Sequence, residues 1–416
     1  MKPQALLAQP DHFPTRSAMA APAGIDSPIR IGAVQVKNRL VKPAMSEQLG
    51  DRANNPRADR LAGLYRRWAA GGIGLLITGN IMVDRNALGE PSNIVLDRQS
   101  DLDAFASWVR GARLDGATIF AQLNHPGKQV PKFLHASPMA PSAIPIEGPL
   151  ASGFNPPREM TAADIERVIG LFADAARLAK EAGFDGIQLH GAHGYLINQF
   201  LSPRHNRRQD EWGEPTRFLM AVYHAVRDAV GPDYPVIAKL NSSDFEKGGF
   251  SSDDAISVME LLESAGIDAI EVSGGTYEAQ AMTGEGQKKG GYFLDFARGA
   301  KSRLSVPVIV TGGFQNRTDI LAALSDGVDM VGIGRALVLD PDMPVKIIGG
   351  FDADFRNHMN PSRWDYLNRI TMLSWFETQM LRISRGQRPD PDMPVIRAAL
   401  HALTHVGVKA FAPRRG

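Results

Sequence analysis

The stretch from Thr161 to His190 contains one helix followed by one strand, and this unit decides the fold. Thr161-Ala-Ala-Asp164 has the pattern of a capping box at a helix N-terminus. Apolar residues then recur at helical spacing for about twenty residues, as far as Gly183. The next segment, Gly186-Ile-Gln-Leu-His190, is short and largely apolar, as expected for a parallel strand that is buried on both faces.

The same alternation of short apolar runs and amphipathic segments continues along the chain. Further helices are predicted to begin at Ser251-Ser-Asp-Asp254 and Asn316-Arg-Thr-Asp319, and to end at Gly266 and Gly327. The predicted strands are Arg39–Met45, Gly74–Thr78, Ala117–Leu123, Gly186–His190, Val236–Leu240, Ala269–Ser273, Val306–Thr311 and Asp329–Ile333. This pattern predicts an α/β protein that closes into a (β/α)8 TIM barrel.

An open, doubly wound parallel sheet is the alternative arrangement for alternating strands and helices. Such sheets commonly bind dinucleotides at a loop with the spacing Gly-x-Gly-x-x-Gly. The nearest match is Gly332-Ile-Gly334, and there Leu337 occupies the third glycine position. The sequence therefore favours the barrel.

Composition excludes several classes of function. The chain has 416 residues, with 46 Lys and Arg against 45 Asp and Glu, which gives a formal net charge of +1. A near-neutral chain without long runs of like charge argues against a nucleic-acid partner or a polybasic membrane patch. The chain contains no cysteine, which excludes disulfides, thiolate-bound zinc, iron–sulfur clusters and cysteine nucleophiles.

Residues 1–25 are predicted to form a flexible arm, because they are rich in proline and contain only short apolar pieces. A secretory signal needs a longer apolar stretch, and no apolar run approaches the length of a membrane-spanning helix. We therefore expect a cytoplasmic protein without a membrane partner. The predicted organisation continues with a barrel over residues 26–345 and a helical extension over residues 346–416.

Two segments exceed what a barrel requires. Asn124–Met160 is a long loop, rich in Pro and Gly, after the third strand, where loops usually shape the substrate site. Ser362–Ser384 is predicted to be one helix with an apolar stripe. The stripe would pack against the barrel wall or form a subunit contact in a homo-oligomer. A membrane-surface role is disfavoured, because the polar face of this helix is not strongly basic.

The end of the fourth strand, His190-Gly-Ala-His193-Gly-Tyr195, is the densest candidate site, since the C-terminal ends of barrel strands face the active site. Two imidazoles can bind one oxygen and stabilise negative charge that develops on it. A neighbouring tyrosine can donate a proton to a carbanion-like carbon. Either histidine alone would also fit a core position. No carboxylate near them in sequence completes a ligand set, so no metal site is predicted.

The ends of the last two strands indicate a phosphate site. Gly312-Gly313 and Gly334-Arg335 offer open backbone and a guanidinium suited to a phosphate. Alternatively, these glycines only turn the chain from strand to helix. Lys239, on the fifth strand, would be buried and would need a partner. That partner is either an anionic ring or a carboxylate of the barrel.

Five segments together resemble the Old Yellow Enzyme family of FMN-dependent ene-reductases (NADH:flavin oxidoreductases). They are Asn38-Arg-Leu-Val-Lys-Pro-Ala-Met-Ser46, Ala121-Gln-Leu-Asn-His-Pro-Gly127, His190-Gly-Ala-His-Gly-Tyr-Leu-Ile-Asn-Gln-Phe-Leu-Ser-Pro203, Thr311-Gly-Gly313 and Val331-Gly-Ile-Gly-Arg335. The resemblance spans residues 26–345. It implies one FMN, held non-covalently over the barrel mouth, and NAD(P)H as co-substrate.

The resemblance also implies roles for individual residues. Ser46 would lie near the O4/N5 edge of the flavin, Gln122 at its pyrimidine edge and Lys239 beside N1/O2. His190 and His193 would bind the activating oxygen of the substrate, and Tyr195 would deliver the proton. The full set of implied cofactor contacts is Ala44, Met45, Ser46, Gly79, Gln122, Lys239, Gly312, Gly313, Gly334 and Arg335.

The mechanism implied by the resemblance is ping-pong. NAD(P)H gives a hydride to the flavin and leaves, and an α,β-unsaturated carbonyl or nitro compound then takes a hydride at its β carbon. Two alternatives remain: a related flavin barrel that oxidises or demethylates an amine, and a non-catalytic flavin-binding protein. The sequence departs from the family at Ser46, where members often have Thr or Cys, and at Lys239, which replaces the arginine of some branches.

Overall fold

The computed structural model describes residues 24–148, 150–279, 291–351, 365–394 and 397–398. All eight predicted strands are present, with ends that differ from the predicted ones by a few residues. They are β1 (Leu40–Lys42), β2 (Leu75–Ile77), β3 (Thr118–Asn124), β4 (Gly186–Gly191), β5 (Val236–Asn241), β6 (Ala269–Ser273), β7 (Val308–Thr311) and β8 (Met330–Gly332).

The strands form a closed parallel barrel. Each strand pairs with its neighbour in chain order, β8 pairs with β1, and the β3–β4 pairing completes the ring. The register places His190 beside Lys239 on adjacent strands. The predicted TIM barrel is therefore confirmed, and the open sheet is excluded.

The helices follow the strands along the chain. They are α1 (Ala58–Ala70), α2 (Leu102–Ala112), α3 (Ala162–Glu181), α4 (Leu196–Leu201), α5 (Arg217–Val230), α6 (Ser252–Ser264), α7 (Leu294–Arg303), α8 (Arg317–Ser325), α9 (Arg335–Leu339), α10 (Met343–Ile348) and α11 (Asp365–Ser384). The predicted capping boxes are present at α3 and α6, where Thr161 and Ser251 accept from the backbone three residues on. Each reciprocal pair satisfies two backbone donors that the helix leaves open.

A short hairpin closes the bottom of the barrel. Its strands, Ile29–Ile31 and Val34–Val36, bury Ile31 and Val36 completely against side chains from the barrel interior. Gly32 has φ +54, and a Cβ there would lie 3.4 Å from the ring of Pro235, which precedes β5. Sequence analysis missed this hairpin because three-residue strands carry little periodic signal. Residues 1–23 of the predicted arm lie outside the described residues.

The upper end of the barrel carries longer irregular segments. Ile81–Met82 and Ile94–Val95 extend the sheet beyond β3. In the long loop predicted after the third strand, Met139–Ala140 pairs with Arg158–Glu159. These additions stand at the C-terminal ends of the strands, and Asn80, Glu90 and Leu150 from the same irregular segments line a cavity there. Among the described helices, none is long and apolar enough to cross a bilayer.

Candidate active site

A cavity of about 530 Å³ lies at the C-terminal ends of the strands. It contains nearly all of the site residues that the sequence predicted: Ala44, Met45, Ser46, Gln122, His190, His193, Tyr195, Lys239, Gly312, Gly313, Gly334 and Arg335. Gly79 is not among the lining residues. It packs behind the wall, where a Cβ would lie 2.3 Å from the carbonyl oxygen of Met45.

Helix α11 covers the mouth of this cavity. Met372, Phe376 and Met380 recur every four residues on one face of the helix, and all three line the cavity. Trp375 points elsewhere and donates from Nε1 to the carbonyl of Met393 at 2.9 Å. Part of the apolar stripe thus forms the roof of the site, a role that the sequence analysis did not assign. Residues 352–364 lie outside the described residues.

One end of the cavity is shaped by glycines. Gly312 and Gly313 have φ +120 and +87, a region that side chains rarely adopt. A Cβ on Gly313 would lie 2.9 Å from the ring of Tyr292. Gly334 and Arg335 stand beside them in the cavity wall. Open backbone next to a guanidinium is suited to an anionic group such as a phosphate.

A chain of hydrogen bonds beneath the cavity fixes the orientation of Gln122. The carboxylate of Glu271 accepts from Gln188 Nε2 at 2.7 Å, and Gln188 Oε1 accepts from Gln122 Nε2 at 2.7 Å. Because a carboxylate only accepts, both amides are set in one orientation. Gln122 Oε1 is consequently a buried acceptor without a protein partner among the described residues.

Lys239 is paired within the protein. Its Nζ lies 2.9 Å from Glu271 Oε1, and both side chains are buried. Thr311 also donates to Glu271 Oε1, at 2.7 Å. The barrel carboxylate that was considered as a partner for this lysine is therefore Glu271. Lys239 still lines the cavity, so its positive charge faces the site as well.

His190 and His193 lie together at the end of β4 with ring centroids 5.0 Å apart. Burial is the main cause that lowers the pKa of both imidazoles well below the ordinary value. The neighbouring His193 lowers the pKa of His190 further, and the positive charge of Lys239 lowers both. Both rings are therefore neutral near pH 7. His190 Nδ1 accepts from the backbone N–H of Ala192 at 3.3 Å, which leaves Nε2 as the protonated nitrogen.

His193 is held by residues from neighbouring strands. Its φ of +61 is unusual for a residue with a side chain. The backbone N–H donates to Asn241 Oδ1 at 3.1 Å, and Nε2 lies 2.7 Å from Ser273 Oγ. If the serine hydroxyl donates, Nδ1 carries the hydrogen and becomes a donor. The predicted sixth strand ended at Ser273, but neither Ser273 nor Asn241 was given a role.

Tyr195 sits beside His190, with ring centroids 4.8 Å apart. Its hydroxyl oxygen lies 3.4 Å from Asn80 Nδ2 and 3.1 Å from the hydroxyl of Tyr277. Burial raises the pKa of Tyr195 to about 12, so the phenol is protonated at neutral pH. Asn80 and Tyr277 were not among the predicted site residues.

A half-buried carboxylate, Glu90, also lines the cavity and accepts a hydrogen bond from Ser46. Burial, with a smaller contribution from Glu47, raises the pKa of Glu90. Glu47 is neutralised by Lys42, with Nζ 3.0 Å from Oε1. Sequence analysis missed Glu90 because it lies in an irregular segment without a motif.

A second group of ionisable side chains lies outside the cavity. Among the described residues, His205, Glu246 and Glu278 have ligand-type atoms within 4.8 Å of one another. Two cationic side chains already pair with these groups. Lys128 Nζ lies 3.1 Å from His205 Nδ1 and 3.4 Å from Glu278, and Arg204 lies 3.0 Å from Glu246. The cluster is a network of ion pairs that fastens the segment after β6.

The residues of the cavity fit a flavin mononucleotide. Gln122 Oε1 is a buried acceptor that an imide N–H, such as N3–H of the flavin ring, would satisfy. Lys239 would stand near the electron-rich side of a flat ring, and the glycines with Arg335 would receive a phosphate. The apolar face of α11 would cover an aromatic ring system. These features together describe a barrel built for a flavin.

Sequence comparison identifies the family. The profile of the NADH:flavin oxidoreductase / NADH oxidase family matches residues 25–353. The chain belongs to this family. Its cofactor is FMN, and its electron donor is a reduced nicotinamide nucleotide.

Individual relatives agree with this assignment. The NADH-dependent flavin oxidoreductase iliE of Hypocrea jecorina is 36% identical over 359 residues, which cover 78% of this chain and 88% of that protein. The NADH oxidase of Thermoanaerobacter brockii is 34% identical over 336 residues, covering 79% of this chain. This match spans 51% of that longer relative.

Solved structures share the fold. A 2-naphthoyl-CoA reductase in complex with 2-naphthoyl-CoA has a TM-score of 0.74 and 26% identity, and the match covers 79% of this chain and 52% of that one. Morphinone reductase has a TM-score of 0.67 and 23% identity, with 80% of this chain and 91% of that one covered. The second likeness shows the barrel architecture alone.

Proposed function

We propose that the protein is an FMN-dependent ene-reductase, which takes reducing equivalents from NAD(P)H and reduces the C=C bond of α,β-unsaturated carbonyl or nitro compounds. The observation that carries this proposal is the grouping of His190, His193 and Tyr195 at one end of the cavity. Two oxygen-binding donors beside one proton donor match the two demands of this reaction.

The first demand is to polarise the activating oxygen of the substrate. A neutral imidazole can donate one hydrogen bond, and His190 Nε2 carries the hydrogen to do so. His193 becomes a second donor when Ser273 donates to its Nε2. Hydrogen bonds aimed at an oxygen that gains charge in the transition state are among the largest contributions to catalysis.

The second demand is a proton for the α carbon. Tyr195 keeps its proton at neutral pH because burial raises its pKa. A phenol is a weak acid, but the enolate-like carbon that results from hydride addition is a stronger base. Tyr195 can therefore protonate that carbon in the cavity beneath α11.

The remaining residues would hold the cofactor. Gln122, Lys239 and Ser46 would contact the ring system, and the glycines with Arg335 would hold the phosphate. When bound, FMN supplies the hydride chemistry, and the protein supplies orientation and charge. Lys239 would favour a reduced ring that carries negative charge.

Action on an amine is the rival hypothesis within flavin barrels. A cationic amine would need an ionised carboxylate in the cavity, and Glu90 is a carboxylate that lines it. Glu90 already accepts hydrogen bonds from Ser46 and Asn93, so part of its capacity to bind a cation is used within the protein. The neutral imidazoles suit an oxygen acceptor instead. This contrast supports an enone or nitro substrate.

The test is anaerobic turnover of a panel of enones, nitroalkenes and secondary or tertiary amines. We expect the purified holoprotein to consume NADH or NADPH only in the presence of an activated alkene. Reduction of the bound flavin by an amine in the absence of a nicotinamide would overturn the proposal and favour the rival. Turnover of none of the alkenes would also contradict it.

A further inference from the structure

The hydroxyl groups of Tyr195 and Tyr277 lie 3.1 Å apart, although 82 residues separate them in the chain. Both side chains line the cavity, and their ring centroids are 6.0 Å apart at an interplanar angle of 66°. Asn80 Nδ2 approaches the same oxygen of Tyr195 at 3.4 Å. The phenol that faces the substrate thus has two polar neighbours on its far side.

The hydrogen-bonding capacity of these groups restricts how they can be arranged. The amide nitrogen of Asn80 can only donate, so it uses one lone pair of Tyr195. When Tyr195 directs its own hydrogen into the cavity, Tyr277 must donate to the other lone pair. The oxygen of Tyr195 then accepts twice from the protein and donates once towards the substrate.

The backbone around Tyr277 is anchored on both sides. Thr276 Oγ1 accepts from the backbone N–H groups of Glu278 and Ala279 at 3.2 and 3.0 Å, and it donates to Glu246. Glu278 pairs with Lys128 and accepts from the backbone N–H of Glu147. The ion-pair network described above therefore fixes the position of Tyr277 relative to the cavity.

We propose that Tyr277 is a positioning residue for proton transfer, whose hydroxyl donates to Tyr195 and stabilises the phenolate that Tyr195 becomes. In this step the O–H bond of Tyr195 breaks, a C–H bond forms at the α carbon, and the electron pair stays on the oxygen of Tyr195. Tyr277 keeps its own proton, and water later returns one to Tyr195. The inference rests on the proposed role of Tyr195 as proton donor.

The electrostatic surroundings of Tyr195 explain why its phenolate needs a hydrogen bond from Tyr277. Burial and the nearby Glu90 oppose negative charge on Tyr195, whereas the hydrogen bonds from Tyr277 and Asn80 favour it and keep its pKa from rising further. A hydrogen bond to a charged group is worth more than one between neutral groups. The contact is therefore stronger after proton transfer than before it, as catalysis requires.

The experiment compares Tyr277→Phe, Tyr195→Phe and the double variant in separate anaerobic half-reactions. We expect Tyr277→Phe to leave flavin reduction by NAD(P)H within about twofold of wild type. Reoxidation by an enone should slow about tenfold, as expected for the loss of one hydrogen bond to a charged oxygen. The solvent deuterium isotope effect on reoxidation should increase, because proton transfer becomes more limiting.

The double variant separates a positioning role from an independent one. If Tyr277 acts through Tyr195, the double variant reoxidises no more slowly than Tyr195→Phe alone. Losses that multiply, or a Tyr277→Phe enzyme as fast as wild type, would overturn the inference. If Tyr195→Phe itself has no effect, the proposed function fails instead, so the two failures are distinguishable.

Two further variants guard against a general structural effect. Tyr234→Phe removes a half-buried hydroxyl away from the cavity, which donates to the carbonyl of Phe184 at 2.9 Å, and it should change neither half-reaction. Asn80→Ala removes the second donor to Tyr195, and it should slow reoxidation in the same selective manner. The inference would also be contradicted if Tyr277→Phe slowed both half-reactions and Asn80→Ala did not slow reoxidation selectively.

Discussion

The Nζ of Lys239 lies 2.9 Å from Oε1 of Glu271, and both side chains are buried at the floor of the cavity. This pair connects two functions of the site. The carboxylate partly neutralises the lysine that lines the cavity, and through Gln188 it orients the amide of Gln122. Charge and hydrogen-bond direction in the cavity therefore depend on one carboxylate that does not line it.

Replacing Glu271 with Gln should change both the compensation of the Lys239 charge and the stability of the protein. The charge of Lys239 would lose its compensation, so the reduced, anionic flavin should be favoured and the midpoint potential should rise. Leaving a buried charge unpaired should also lower the free energy of unfolding of the apoprotein by about 3–5 kcal/mol. Spectroelectrochemical titration and urea denaturation measure the two effects.

Asp268→Asn is the matched control for this prediction. Asp268 pairs with Arg227 at 2.7 Å near the opposite end of the barrel. Its loss should reduce stability without shifting the potential of the flavin. A Glu271→Gln variant with an unchanged potential would show that the pair does not influence the cofactor.

The two histidines should determine the affinity for phenolic ligands, whose oxygen resembles the activating oxygen of a substrate. His190→Ala or His193→Ala should each weaken binding about tenfold or more, the effect of losing a hydrogen bond to a charged oxygen. Spectral titration of the holoprotein measures this affinity. His224→Ala, on the exposed face of α5, should leave it unchanged. Equal affinities in all three variants would contradict this role and would mean that His190 and His193 only pack in the core.

Glu377 on α11 should make stability depend on pH. Burial raises its pKa to about 8, well above the ordinary value of 4.5. The folded protein therefore retains a proton that the unfolded chain loses above about pH 4.5, so stability decreases as the pH rises from about 4.5 to 8. Glu377→Gln removes this contribution, and its Tm should fall less than that of wild type across the same range.

The exposed Glu181 at the end of α3 provides the comparison. Glu181→Gln should retain the pH dependence of the wild type. Parallel Tm curves for wild type and Glu377→Gln would contradict the raised pKa of this carboxyl.

The roof of the cavity should limit substrate size. Phe376 is one of the α11 side chains that line the cavity, and Phe376→Ala would remove most of its bulk. We expect kcat/KM for bulky cyclic enones to rise relative to that for small ones, because the added space helps only the larger substrate. An unchanged ratio would mean that α11 does not contact the substrate.

The sequence predicted the barrel because each strand has its own local signature. Segments such as Gly186–His190 are apolar, follow a glycine and come after a capped helix, so each unit could be identified without its neighbours. The residues at the predicted strand ends also located the cavity, since all barrel strands end on the same side. The hairpin from Ile29 to Val36 was missed, because its three-residue strands are too short to show a clear period.

The contacts between distant segments could not be predicted. Tyr277 reaches Tyr195 across 82 residues of sequence, and Glu90 and the roof of α11 enter the site from segments that carry no motif. Lys239 illustrates the same limit, since its need for a partner was clear but its partner was not. Such pairings depend on three-dimensional register, which local patterns do not encode.

The most direct test of the central claim is a comparison of the two half-reactions in wild type and Tyr195→Phe, measured by anaerobic stopped-flow absorbance of the flavin. In the proposed mechanism, only the reoxidation step needs the proton of Tyr195. We predict that reduction by NAD(P)H stays nearly unchanged, while reoxidation by an enone slows about 100-fold or more. Equal losses in both half-reactions, or no loss in reoxidation, would contradict the account.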